Sequence, residues 1–152
     1  MSAIDPNLPW HDRFNTPDSD ELIEPVRTAE TGIEPFEQLR VTLVESLELT
    51  ETLGWHGIPW RWAFSYAPGE EDPIAYLVPE PGRPQFCCRL DVDAADAVAA
   101  SKPHRTIREG LARGRLVGST LWTEWDLNAM TRAGDYADLV KVIAKHRAGS
   151  GG

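Results

Sequence analysis

Between Trp60 and Tyr66 the chain alternates without a break. Trp60, Trp62, Phe64 and Tyr66 are large aromatics, and Arg61, Ala63 and Ser65 lie between them. Neighbouring side chains of a strand point to opposite faces, so this period of two predicts a β-strand with its aromatic face against a core. A helix would scatter the same four rings around its circumference. The run therefore commits the chain to a sheet, and the sheet to a covering layer.

The flanking sequence supplies that layer. Over residues 34–53, Pro35 suits a first helical turn, and Phe36, Leu39, Leu43, Val44 and Leu47 recur at three- and four-residue steps. Gly54 stands where a left-handed cap would end this helix. After the aromatic run, strands are predicted at about 74–78 and 85–90. Breakers separate them: Pro68-Gly69, Asp72-Pro73, and Pro79 to Pro84. Such short connections imply an antiparallel meander. Asp91 or Asp93 caps a short helix through Ala94–Ala99, Pro103 interrupts it, and a second helical piece carries Ile107 and Leu111 up to Gly114. Residues 115–125 read as a fourth strand. Asp135 then caps a closing helix with Tyr136, Leu139, Val140 and Ile143 at core spacing, ending near Arg147.

The expected fold is α+β: an antiparallel sheet of about four strands, packed on one face by the N- and C-terminal helices, in the order α-β-β-β-α-α-β-α. Residues 34–147 form the single domain. Residues 1–33 are a Pro-rich acidic leader, expected to be extended because Pro6, Pro9, Pro17 and Pro25 interrupt a helical period. Its Trp10, Phe14, Leu22, Ile23 and Val26 suit a strap laid on the domain. Residues 148–152 are expected to be a flexible tail.

Length and composition narrow the class. A chain of 152 residues accommodates one core, and 41% apolar with 26% charged residues is globular usage. No apolar run reaches the roughly 18–20 residues that cross a bilayer, and the first ten residues lack the pattern of a secretory signal. The cytoplasm is the expected compartment. The net charge of −9 repels a phosphate backbone at long range, which disfavours nucleic acid as a partner. Cys87 and Cys88 are adjacent, point to opposite faces of a strand, and are read as free thiols.

The segments Trp60-Arg61-Trp62, Ile74-Ala75-Tyr76-Leu77-Val78-Pro79 with the following turn to Phe86, Leu111-Ala112-Arg113-Gly114-Arg115, and Lys145-His146-Arg147 carry a resemblance. Over residues 34–147 the chain resembles the bacterial domain-of-unknown-function 3788 family, and more distantly the YdhG-like and MmcQ/YjbR-like small α+β proteins. The resemblance implies the fold and brings no established activity with it.

No catalytic motif stands out. His11, His56, His104 and His146 are not spaced with one another or with Cys, Asp or Glu as metal ligands are. Ser65, Ser119, Cys87 and Cys88 lie in no nucleophile elbow, and no Gly-rich phosphate cradle follows a strand. No cofactor is expected. Two surfaces remain. Trp60, Trp62 and Tyr76, completed by Trp122 or Trp125 of the fourth strand, form either sheet-to-helix core or an aromatic cleft for a small planar or apolar ligand. The other sheet face, with Arg61 and Arg89, is expected to be open and cationic. Lys102, Arg105, Arg108, Arg113 and Arg115 against Glu109 add a basic segment, and Arg105 and Arg108 lie one turn apart. These surfaces predict a non-catalytic binding or protein-interaction module, with a protein partner or a second copy of the chain as docking partner. The rival readings are a small enzyme using Cys88 or a histidine in the Trp60–Trp62–Tyr76 cleft, and an acidic inhibitor or immunity-type protein steered to a basic target.

Overall fold

The computed structural model describes residues 8–30, 32–57 and 60–150, the last three by their backbone alone. Residues 1–7 and 31 of the expected leader, and 151–152 of the expected tail, lie outside the described residues. Six strands, β1 (Thr50–Trp55), β2 (Trp62–Ala67), β3 (Ala75–Val78), β4 (Gln85–Asp91), β5 (Arg115–Val117) and β6 (Thr120–Asp126), form one sheet. Their spatial order is β1-β2-β3-β4-β6-β5, and every neighbouring pair is antiparallel. The helices are α1 (Ser19–Ala29), α2 (Ile33–Val41), α3 (Val92–Ala100), α4 (Arg105–Ala112) and α5 (Ala133–Ser150). None is long and apolar enough to cross a membrane.

The α+β class and the antiparallel sheet are as expected, but the strand number is six rather than four. One added strand comes from the helix expected over 34–53. Helix α2 ends at Val41, passes through a π-helical turn at Thr42–Ser46, and reverses at Glu48, which adopts φ 56°. The chain then enters β1, where Glu51, Leu53 and Trp55 alternate with Thr50, Thr52 and Gly54. Gly54 therefore lies in a strand and caps nothing. The other added strand comes from residues 115–125, which fold back on themselves as a hairpin. Gly118, at φ 65°, takes the first position of its two-residue turn, a position that favours glycine.

Between Ser19 and Ala29 the leader is helical rather than extended. Asp18 accepts a hydrogen bond from the Glu21 amide at 2.8 Å, and Glu21 returns one to the Asp18 amide at 3.2 Å, a capping box that starts α1. Leu22, Ile23 and Val26 on its inner side are buried, and Pro25 is carried within the helix. The boundary expected between residues 33 and 34 falls inside α2. At the other end α5 continues through Ser150, so the expected tail begins in a helix. Asp135 lies in the first turn of α5 rather than at its cap, because the helix starts at Ala133.

Register decides what the sheet buries. Leu53, Phe64, Leu77, Phe86 and Trp125 are successive cross-strand partners and share one face. Helices pack on this face: Phe36 of α2 meets Phe64 edge-on at 6.2 Å, and Tyr136 of α5 meets Phe86 at 5.3 Å and Trp125 at 5.5 Å. Helices α2, α3 and α4 each also contact α5, which closes the layer.

One polar cluster is built into this face. Tyr66 is fully buried and its hydroxyl donates to Glu51 at 2.7 Å. Arg40 donates two bonds to the same carboxylate, at 2.8 and 2.9 Å, with its guanidinium 4.7 Å from the Phe64 ring. Burial and the neighbouring carboxylate push the Tyr66 phenol far above its ordinary pKa, so it remains a donor. Tyr66→Phe is expected to lower the unfolding free energy by about 1.5 kcal/mol, the worth of a hydrogen bond to a charged group. Chemical denaturation reads this directly, and an unchanged midpoint would show that the bond contributes nothing.

Candidate aromatic site and edge groove

The aromatic stripe of the sequence is divided between the two faces of the sheet. Trp62 lies on the helix face, 6% exposed, edge-on to Trp55 at 5.7 Å. Trp60 does not share that face. Arg61 takes a left-handed conformation, φ 58°, just before β2 begins, and this breaks the alternation between Trp60 and Trp62. Trp60 instead joins Tyr76 and Trp122, which share the opposite, helix-free face with Cys87 and Arg89. The rings of Trp60 and Tyr76 are 4.9 Å apart, and Trp122 is 6.0 Å from each.

His56 completes the cluster, 6.1 Å from Trp60 and 5.6 Å from Tyr76. The sequence carried no metal or catalytic spacing around His56, so only the fold brings it into view. Loss of water around the imidazole lowers its pKa below the ordinary 6.5. The His56 titration is expected below that value by NMR and is expected to return toward it in Trp60→Ala. An unmoved titration would remove Trp60 as the group that dries it. Tyr76 is shifted the other way: burial raises its phenol, while a hydrogen bond from Arg89 partly opposes this.

Trp60 and Trp122 continue into a groove of about 690 Å³ that runs along the outer side of β6. Arg83, Arg113, Arg115, Glu124 and Asp126 line it, together with Trp125 and Tyr136 from the core side. Arg83 is tied to Asp126 at 3.1 Å, and Gln85 donates to the same carboxylate oxygen at 3.3 Å. Arg113 and Arg115 make no ion pair among the described residues and are exposed. Burial pushes the Tyr136 phenol to about 12, so the hydroxyl stays protonated at neutral pH.

The second expected surface is not a single face. Arg61 projects over Trp10, its guanidinium 5.3 Å from the ring, rather than beside Arg89. Arg89 lies over Trp122 at 5.8 Å and pairs with Asp72 at 3.7 Å. Arg105 and Arg108 sit on α4, in the helix layer, where Arg105 pairs with Glu109 at 2.7 Å. The helix-free face is also less open than expected. Ala63, Ser65, Gln85 and Cys87 are all buried at its centre.

The nucleophile of the enzyme reading is displaced as well. Cys88 lies on the helix face and Cys87 beneath Tyr76, both with no exposed surface, and burial raises both thiols well above their ordinary range. Thiolate chemistry needs the opposite environment. Among the described residues no group of three His, Cys, Asp or Glu side chains could hold a metal ion. Comparison with known proteins found no matching family model, no matching curated protein and no matching solved structure.

Proposed function

We propose that the chain is a non-catalytic binding module, and that its site is the groove between the Trp60–Tyr76–Trp122 cluster and the outer side of β6. The observation that carries this reading is the meeting of partly exposed indoles with unpaired arginines. Trp60 and Trp122 are only half-buried, and Arg113 and Arg115 stand beside them without a carboxylate partner among the described residues. Indole faces take flat apolar groups, and guanidinium groups take carboxylates or phosphates in a planar fork. The groove thus suits an occupant with both an aromatic or apolar surface and a negative charge. An aromatic wall beside a largely polar and charged lining offers such an occupant both stacking and charge-assisted contacts.

The test is a set of aromatic carboxylates titrated against the full chain, read by quenching of tryptophan emission. Trp122→Ala and Arg115→Ala alter exposed or half-exposed positions and should leave the melting temperature close to that of the parent. Each is expected to weaken binding about tenfold, the loss of one stacking or charge-assisted contact. Equal binding by the parent and both variants would place the occupant elsewhere.

A further inference from the structure

The outer side of β6 carries an observation independent of the side chains. Val117 and Thr120 close a two-residue hairpin, so Thr120 and Trp122 exchange their backbone bonds with β5. The alternation then turns Leu121, Thr123 and Trp125 toward β4. The next step of the same ladder agrees, since the Leu127 amide donates to the Pro84 carbonyl at 2.8 Å. By the same alternation Glu124 and Asp126 direct their N–H and C=O groups outward, to the side that β5 occupies at Trp122. But β5 ends at Arg115, whose partner is Trp122. No hydrogen bond among the described residues reaches those outward groups.

A sheet edge with its backbone unpaired is a template for another strand. Here the edge is short and set in a groove. Trp60 and Trp122 bound it on the helix-free side, and Thr106 and Gly110 of α4 bound it on the other. We infer that this slot takes an extended peptide segment of a partner protein, which continues the lane of β5 beside Glu124 and Asp126 and places an acidic side chain on Arg113 and Arg115.

The chemistry on the page selects that occupant. Strand addition supplies affinity through main-chain bonds, and alternate side chains then read the two walls. One wall is aromatic and favours a flat or apolar side chain. The open end is cationic through Arg113 and Arg115, whereas Asp126 is already neutralised by Arg83. Glu124 is exposed and has no cation partner among the described residues, so an acidic residue directly opposite it is disfavoured. The complementary charge therefore belongs at the Arg115 end. The stretch of β6 beyond Trp122, from Thr123 to Asp126, accommodates about four added residues, roughly 13 Å of strand. This inference rests on the groove proposed above as the binding site and names the class of its partner.

The test begins with random twelve-residue peptides, displayed on phage and selected on the full chain. Acidic residues next to an aromatic are expected among the survivors. The tightest peptide, measured by fluorescence anisotropy, should bind about tenfold more weakly to the doubly substituted Arg113→Glu/Arg115→Glu chain. It should lose at least as much when its own alternate amides are N-methylated, because that removes main-chain donors and leaves every side chain. Hydrogen exchange should slow at the Glu124 and Asp126 amides when it binds.

Selected peptides that leave both amides unprotected, or that tolerate N-methylation in either alternation, would overturn strand addition. Selection of the same peptides by the charge-reversed chain would overturn the acidic partner. If the aromatic carboxylates bind while the library yields nothing dependent on Trp122, the peptide inference falls and the groove remains the site. Protection of the two amides that rises with protein concentration, without peptide, would assign the slot to a second copy and overturn the inference.

Discussion

Trp10→Ala is expected to lower the unfolding free energy by about 3–5 kcal/mol, the usual loss for a buried tryptophan. Trp10 is only 4% exposed although it lies in a Pro-rich segment far from the sheet in sequence. Its indole N–H reaches the carbonyls of both Trp60 and Trp62, each at 3.1 Å. Trp62 answers from the sheet, since its own indole N–H donates to the Asp12 carbonyl at 2.7 Å. The two tryptophans thereby latch the leader to the start of β2, beside the left-handed Arg61 and the aromatic site. For a chain of this size the loss corresponds to a melting temperature roughly 10 °C lower. Phe14→Ala is the control: Phe14 is 88% exposed, and its removal should change stability by no more than about 0.5 kcal/mol. If Trp10→Ala melts with the parent, the leader is not part of the folding unit.

The second large effect is expected at Gly110. A helix-interior glycine is ordinarily improved by alanine, by about 1 kcal/mol. Here a Cβ would overlap the Nε1, Cε2 and Cζ2 atoms of Trp125. That ring cannot move aside cheaply. It is 3% exposed, its N–H donates to the Thr106 carbonyl at 2.9 Å, and it packs in a three-ring cluster with Phe86, tilted at 6.1 Å, and Tyr136, edge-on at 5.5 Å. Gly110→Ala is therefore expected to destabilise by about 2–3 kcal/mol, the cost of overpacking a closed site, with the helical gain more than cancelled. Gly134, near the start of α5, has open space around the position of a Cβ, so Gly134→Ala should be neutral or stabilising by up to about 1 kcal/mol. Equal behaviour of the two variants in thermal melts would show that α4 does not sit against Trp125 as described.

The site was half legible in the sequence. The strand patterns marked Trp60, Tyr76 and either Trp122 or Trp125 as aromatic residues able to meet; Trp122 joins the first two, and Trp125 lies on the other face. Trp62 was grouped with them because strict alternation puts residues 60 and 62 on one face. A single left-handed residue, Arg61, breaks that rule, and nothing in an arginine announces φ 58°. His56 was named only as one of four histidines, because a lone histidine has no spacing partner until the fold carries it against Trp60 and Tyr76. Arg113 and Arg115 were visible only as part of a basic run. Which of them face the groove depends on where α4 stops and β5 begins.

The helical and strand misreadings share a physical origin in competing local patterns. Residues 36–47 have helical apolar spacing and residues 50–55 have strand alternation, and the two follow each other closely enough to be read as one long helix. The same weighting hid α1, where four prolines outweighed a capping box formed by Asp18 and Glu21 and a buried Leu22–Ile23–Val26 stripe. A proline inside a helix removes one bond and costs roughly 3 kcal/mol, but tertiary burial of a full apolar stripe can offset that cost.

The amino-acid sequence by itself determined the class of fold, the central strands β2, β3 and β4, the helices α3 and α4, and the free state of the two cysteines. These follow from period, breakers and caps, all of which act within a few residues. Tertiary structure alone decided that β1 and β5 flank the sheet, that the leader contributes to the core, and which face each tryptophan occupies. It also decided that the strand edge beside Glu124 and Asp126 is left unpaired among the described residues. Those outcomes depend on register and on pairing between segments distant in the chain, where the energy of a contact belongs to both partners and is written in neither alone.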